Sequence, residues 1–185
     1  FFFYIDGVYT IIDMATAYGT ALGLDSTVLL LALLVTQLVA FPFAIIFGRL
    51  SKCYDVRTLI TICIAAYFGI AVFAIFLKAQ WQFWIMAILV GMFQGGIQAL
   101  SRSYFTKIIP AEKSGEYFGL MDICGKGASF LGTTVISLIA QFTGKVNIGV
   151  GAISLFFVCG MIVFKMATAE QIASDDQWNQ WGYYI

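Results

Sequence analysis

Asp6, Asp13, Asp122 and Lys126 sit inside long apolar stretches of the sequence, and ionisable groups at bilayer depth cost at least about 2.5–3.5 kcal/mol each. A chain retains such groups where they face water, a partner or a solute, so these four are the first candidates for chemistry. Asp6 and Asp13 are seven residues apart, which on a helix leaves them within about 20° of one face. Thr10, Thr16 and Thr20 extend nearly the same stripe. Asp13 falls mid-span and is the candidate to titrate a proton or bind an ammonium group. Asp6 lies nearer the end of its stretch, where it either reaches water or joins Thr10 in a secondary cavity. Asp122 and Lys126 are i,i+4 with the acid first, the favourable order for a helical ion pair. They either neutralise each other as interhelical glue, or separate to free Lys126 for a substrate carboxylate.

Uncharged polar groups extend the pattern. Gln37 is central to its apolar stretch, Gln94 lies roughly 3 Å from the centre of another, and Gln98 and Arg102 follow Gln94 at i+4 steps as a polar ladder. A lone glutamine is often glue between helices. Asp13, Gln37, Gln94 and Lys126 share a common depth on four different spans, however, and transporters place substrate and coupling-ion sites at that midplane.

The elements that must hold these residues follow from composition. The 185 residues are 61% hydrophobic and 11% charged, with a mean hydropathy of +0.92, far from the roughly 45–50% apolar and 25% charged usage of soluble domains. This is the composition of a polytopic membrane protein. A span needs about 20 mainly apolar residues, and the charges divide the chain into six such stretches, 1–24, 27–48, 59–77, 83–101, 116–141 and 148–165. Continuous apolar runs with no alternation predict helices rather than barrel strands, so the class is all-α, six transmembrane helices. Residues 166–185 form a polar, aromatic tail, read as an interfacial segment or a disordered end. The 102–115 segment is the one substantial polar linker, and it parts the chain into two three-helix groups. Spans three and six carry no interior charge, which predicts that they lie at the lipid-facing periphery while spans one, two, four and five line a cavity. Pro42 predicts a kink in span two.

Arg49, Lys52, Arg57, Arg102, Lys107, Lys113 and Lys165 fall at one face, against Lys78 and Lys145 at the other. The positive-inside rule makes the richer face, and both ends of this segment, cytoplasmic. Trp81 and Trp84 then mark the outer interface. Ten basic and ten acidic residues give no net charge, so nucleic-acid binding has no electrostatic basis. The absence of histidine removes His metal sites and Ser-His or Cys-His catalysis. Cys53, Cys63, Cys124 and Cys159 form no C-x-x-C pair and read as free thiols. The chain begins at Phe1 in the middle of an apolar run and is read as part of something longer.

Three segments resemble a known family. Phe3-Tyr4-Ile5-Asp6-Gly7-Val8-Tyr9-Thr10-Ile11-Ile12 resembles the seventh helix of the vacuole-effluxer-like group of the major facilitator superfamily. Gly48-Arg49-Leu50-Ser51 resembles the start of that superfamily's loop between helices eight and nine. Gly95-Gly96-Ile97-Gln98-Ala99-Leu100-Ser101-Arg102-Ser103, on through Ile109-Pro110 to Glu116-Tyr117-Phe118-Gly119, resembles its tenth helix and the loop beyond. The loop departs from the superfamily pattern at Lys52, Cys53 and Asp55, and leaves Arg49, Arg57 and Arg102 as gating candidates. The resemblance implies the C-terminal six helices of a twelve-helix fold, completed by a missing N-terminal half, in a bacterial inner or a vacuolar membrane. It also implies export of an amino acid or similar small solute.

The function expected is therefore secondary transport by alternating access, without enzymatic activity, metal or cofactor beyond a coupling proton. A non-transporting membrane scaffold or sensor is the rival class, and it would tolerate apolar replacement of Asp13 and Lys126. An intramembrane aspartyl protease fits poorly, because Asp6 and Asp13 share one helix and no Gly-x-Gly-Asp segment occurs.

Overall fold

Asp25 and Asp55 each stand just before an apolar run, and each becomes a helix N-cap. The Asp25 carboxylate accepts the Ser26 N–H at 2.8 Å, and the Asp55 carboxylate accepts the Arg57 N–H at 3.4 Å. Between the first two helices Gly23 takes φ 77°, and after the fifth Gly144 takes φ 68°, left-handed positions that glycine occupies without a Cβ penalty. The computed structural model describes residues 1–21, 23–77, 79–109, 113–144, 148–149 and 152–182, with side chains described as far as 169 apart from 18, 21 and 128. The described residues form six long helices: α1 Phe2–Ala21, α2 Ser26–Leu50, α3 Val56–Ile75, α4 Gln80–Ile108, α5 Ser114–Thr143 and α6 Ser154–Gly182. The described residues include no strand.

Helices α2, α3, α4 and α5 are long and apolar enough to cross a membrane, and the apolar part of α6 covers Ser154–Ala169. Helix α1, interrupted by Asp6 and Asp13, is not among them. Two boundaries differ from expectation. Helix α4 runs past Ser101 to Ile108 because no breaker intervenes before Pro110; Ile109, with φ −84° and ψ 144°, adopts the extended backbone that a following proline imposes. The expected 102–115 linker thereby shrinks to a few residues, and Arg102 becomes a helical residue. Helix α6 continues through most of the expected tail to Gly182, since residues 161–181 contain neither glycine nor proline and are rich in helix formers. Helix α2 runs unbroken through Pro42.

The helices associate in two parallel pairs. Along α2 and α4, Thr36 Oγ1 donates to the Ala87 carbonyl at 3.2 Å, and the Cα of Gly95 approaches so closely that a Cβ there would strike the Ala40 carbonyl oxygen. Helix α1 packs along α5 in the same sense. Helices α3 and α6 bind these pairs together. Tyr67 of α3 stacks on Phe157 of α6, with centroids 5.5 Å apart, and its hydroxyl donates to the Val90 carbonyl of α4 at 3.4 Å. Tyr4 of α1 meets Phe164 of α6 edge-on at 6.2 Å. Exchanging α1 with α4, α2 with α5 and α3 with α6 maps the principal packing partners onto themselves. Since α1 and α4 run oppositely, the two three-helix groups form an inverted repeat in packing, although no repeat is visible residue by residue.

Helix α3, expected at the periphery, is two-faced. Ile60, Cys63, Ile64 and Tyr67 are wholly buried in the core, while Ile62, Phe68 and Ile75 remain exposed. Absence of charge marks a helix that lines no polar opening, but it does not tell an outer helix from one that forms the backing of the core.

Candidate functional site

The two parallel pairs leave a cleft between them. Ile5 and Tyr9 of α1 and Asp122 and Lys126 of α5 form one wall, Gln98 and Arg102 of α4 the other, around about 170 Å³. On α4 the Gln98 and Arg102 positions are one turn apart and share a face, which the extension of the helix beyond Ser101 makes possible. On α5 the same spacing joins Asp122 to Lys126. Arg102 Nη2 lies 3.2 Å from Asp122 Oδ1, which links α4 to α5. Gln98 and Arg102 also border a shallower groove of about 630 Å³ whose far wall is α2, with Gln37, Phe41 and Ala44. Four helices thus contribute to one continuous polar face: α1, α2, α4 and α5.

This arrangement corrects the expected Asp122–Lys126 pair. Asp122 engages Arg102, and Lys126 lines the same cleft with no ion pair among the described residues. An i,i+4 pair is worth only about 0.2–0.5 kcal/mol, so an arginine fork from a neighbouring helix readily outcompetes it. Arg102 and Asp122 are 61% and 58% exposed, so the ion pair is worth about 0–1 kcal/mol and breaks easily.

The ladder from Gln94 through Gln98 to Arg102 also divides. Each i+4 step precesses by about 40°. Gln98 and Arg102 therefore face the cleft, whereas Gln94 turns into the interior, 8% exposed, with its Oε1 unpartnered. Asp13 continues the Ile5–Tyr9 stripe but is exposed and lies beyond the cleft lining. The slab of Asp13, Gln37, Gln94 and Lys126 is therefore not gathered in one cavity. Of the gating candidates, Arg102 is in the cleft; Arg49 ends α2 and Arg57 lies over the Tyr104 ring at 5.8 Å, both outside the cleft.

Asp6 carries the structural surprise. It is wholly buried, and its Oδ1 accepts the Thr10 hydroxyl at 3.3 Å and the Gly132 N–H of α5 at 3.1 Å, while Oδ2 has no partner. Counted from the start of α1 it is one turn in; measured against Gly132, near the middle of α5, it is at half-height. The i,i+4 Asp6–Thr10 pairing and a glycine on a neighbouring helix were the available signals, but which glycine would meet it is a tertiary fact. The described residues include no group of three or more His, Cys, Asp or Glu able to hold a metal, and the four cysteines are free.

The family described as vacuole effluxer Atg22-like matches residues 1–177. Among curated proteins, the uncharacterized MFS-type transporter YxiO of Bacillus subtilis (strain 168) is 45% identical over 170 residues, 92% of this chain and 40% of that protein. Autophagy-related protein 22 of Candida glabrata is 30% identical over 95 residues, 51% of this chain and 18% of the other. Autophagy-related protein 22-2 of Aspergillus niger is 25% identical over 180 residues, 85% of this chain and 30% of the other. The chain thus spans two fifths or less of the length of these relatives. No solved structure matches it. Helical through its described elements, four of which are apolar enough for a bilayer, and matched over residues 1–177, the chain belongs to the vacuole effluxer Atg22-like family.

Proposed function

We infer that the protein moves a small zwitterionic solute, of the amino-acid class, across a membrane by alternating access, and that the face shared by α1, α2, α4 and α5 forms one wall of the route. The observation that carries this reading is the charge arrangement in the cleft: an exposed, weak Arg102–Asp122 pair beside Lys126, which has no ion-pair partner among the described residues. A solute carboxylate engages Lys126 and Arg102, its ammonium group takes Asp122, and Gln98 and Gln37 supply hydrogen bonds. Because the resting pair is worth so little, exchanging it for the solute's charges costs little. The description of the family, vacuole effluxer Atg22-like, and the name of one relative, an MFS-type transporter, support transport as the class.

The opposite wall belongs to a second helical unit of the whole protein, the N-terminal half of a twelve-helix arrangement. The basic end of the helices, with Arg49, Arg57, Arg102 and Lys165, faces the cytoplasm of a bacterial cell or of a cell with a vacuole. Asp6 and Asp13 are the carboxylates available for a coupling proton, and of the two only Asp6 lies in a helix seam.

The test is flux of radiolabelled amino acids by the intact protein in proteoliposomes, wild type against Lys126→Met, Asp122→Asn and Arg102→Gln. Loss of flux in all three, with competition by zwitterions and none by simple amines or carboxylates, supports the assignment. Undiminished flux in folded Lys126→Met and Asp122→Asn removes it.

A further inference from the structure

We propose that the groove between the start of α3 and the charged end of α6's apolar length binds the phosphate headgroup of an anionic phospholipid. Arg57 and Thr58 from α3 and Phe164, Lys165 and Thr168 from α6, with Asp55 at the lip, border an opening of about 370 Å³. It shares no residue with the cleft.

Its depth in the membrane follows from the sequence. No charge occurs in residues 58–77 of the α3 region or in 152–164 of the α6 region. Arg57 and Lys165 are thus the first charges met on leaving hydrocarbon along either helix, which sets them at the level of lipid phosphates. Basic pockets between transmembrane helices at this level are favourable sites for anionic headgroups.

The site is also organised before any ligand arrives. The Arg57 guanidinium carbon lies 5.8 Å above the Tyr104 ring, and Tyr104 meets Phe164 at 6.0 Å. Stacking fixes the arginine fork, which recognises phosphate through two parallel N–H donors. Phe164 gives an acyl chain an apolar floor beside the headgroup. Lys165 is exposed and adds a point charge on a flexible stem. Asp55 is the one acid at the groove among the described residues, and its Oδ1 is turned to the Arg57 N–H as the α3 cap. The balance is two cations to one anion, suited to a phosphate monoanion. A lipid phosphodiester and free inorganic phosphate share that chemistry; the interfacial depth and the aromatic floor favour the lipid.

The experiment uses the intact purified protein in detergent, titrated with phosphatidylglycerol, phosphatidylcholine or inorganic phosphate, and read by native mass spectrometry and thermal stability. Each lost cation near an anionic surface weakens binding about fivefold. Phosphatidylglycerol is expected to be retained and to raise Tm in the wild type, with affinity about 25-fold weaker in R57Q/K165Q. Asp55→Asn keeps an N-cap of similar quality and removes the opposing charge, so it is expected to bind about fivefold more tightly. That gain is one that a merely structural role for the groove would not produce. Equal phosphatidylglycerol retention by wild type and R57Q/K165Q overturns the proposal. So does an unchanged or weaker response in Asp55→Asn, which stands even if the double variant fails to fold. Stabilisation by inorganic phosphate matching that by phosphatidylglycerol, or by phosphatidylcholine equally, overturns the lipid assignment.

Discussion

Gly132→Ala tests the α1–α5 seam against its own helix. A Cβ at Gly132 would collide with Thr10 Oγ1 and stand 2.9 Å from both Thr10 Cβ and Asp6 Oδ1. The seam must open to admit it. Overpacking of this kind costs about 1–3 kcal/mol. Opening also lengthens the 3.1 Å bond from the Gly132 N–H to Asp6; losing a bond to a carboxylate costs about 1.5–3 kcal/mol. Replacing glycine by alanine inside a helix returns about 1 kcal/mol. The net is a destabilisation of about 1.5–5 kcal/mol, or a fall in Tm on the order of 10 °C. The same substitution at Gly127 on the same helix meets nothing within 4 Å, so only the propensity gain of about 1 kcal/mol remains there. The two variants therefore shift Tm in opposite directions, which near-ultraviolet or tryptophan-fluorescence melting of the intact protein in detergent measures directly. Thr10→Ala removes the hydroxyl in conflict, and the double variant with Gly132→Ala should recover part of the loss, a coupling of at least about 0.5 kcal/mol. Equal Tm shifts for Gly132→Ala and Gly127→Ala would refute the close approach of α1 to α5.

Gly95→Ala places a Cβ against the Ala40 carbonyl, a backbone group that cannot rotate away, so a stability loss of about 1–3 kcal/mol is expected together with reduced yield of folded protein on size-exclusion chromatography. Tyr4→Phe removes the 2.9 Å bond to Ser101 and leaves Ser101 buried; about 1–2 kcal/mol should be lost, and Tyr4→Phe/Ser101→Ala should lose less than the sum of the two single changes. The Arg102→Asp/Asp122→Arg exchange should keep stability within about 1 kcal/mol of wild type because the pair is exposed, while abolishing amino-acid flux in proteoliposomes; retained flux would mean that the polarity of the pair does not matter to the solute. Asp6→Leu should destabilise by at least about 2 kcal/mol, since it strands the Gly132 N–H and the Thr10 hydroxyl, whereas Asp13→Leu on an exposed position should stay within about 0.5 kcal/mol in the same melting assay.

Much of the fold is legible in the sequence because charge does the parsing. Asp25 and Asp55 announce helix starts, the basic clusters separate spans, and the apolar runs are too long for anything but helices. The misread boundaries have local causes: arginine and lysine near Ser101 read as a loop, although only Pro110 had the chemistry to stop α4. The site is less legible, since depth and direction are tertiary properties. Asp6 was ranked below Asp13 by counting from the end of its own helix, and its true level is set by Gly132 across the seam. Asp122 was paired with Lys126 because both lie on α5, and no sequence pattern declares that Arg102 of α4 reaches it. Gln94 and Gln98 differ by one turn in sequence yet by burial in the fold, because the helical stripe winds out of the cleft.

The distribution of these contacts has a mechanical consequence. Within each parallel pair the helices meet closely at a glycine, Gly95 against the Ala40 backbone and Gly132 against the Thr10 and Asp6 side chains. Between the pairs, polar bridges among the described residues include Tyr4 to Ser101 and Arg102 to Asp122, the first a single hydroxyl contact and the second an exposed ion pair, and Gly19 of α1 packs against Leu29 of α2 and Phe83 of α4. Helices α3 and α6 span both pairs, joined by the Tyr67–Phe157 stack. A change of shape that keeps each pair rigid and flexes across this brace breaks these two polar links, worth about 0.5–2.5 kcal/mol in sum, while the apolar contacts at Gly19 slide. The cleft containing Lys126 lies at the boundary between the pairs, so on the proposed function a solute bridging Arg102 and Asp122 would act across the contact that this change of shape opens.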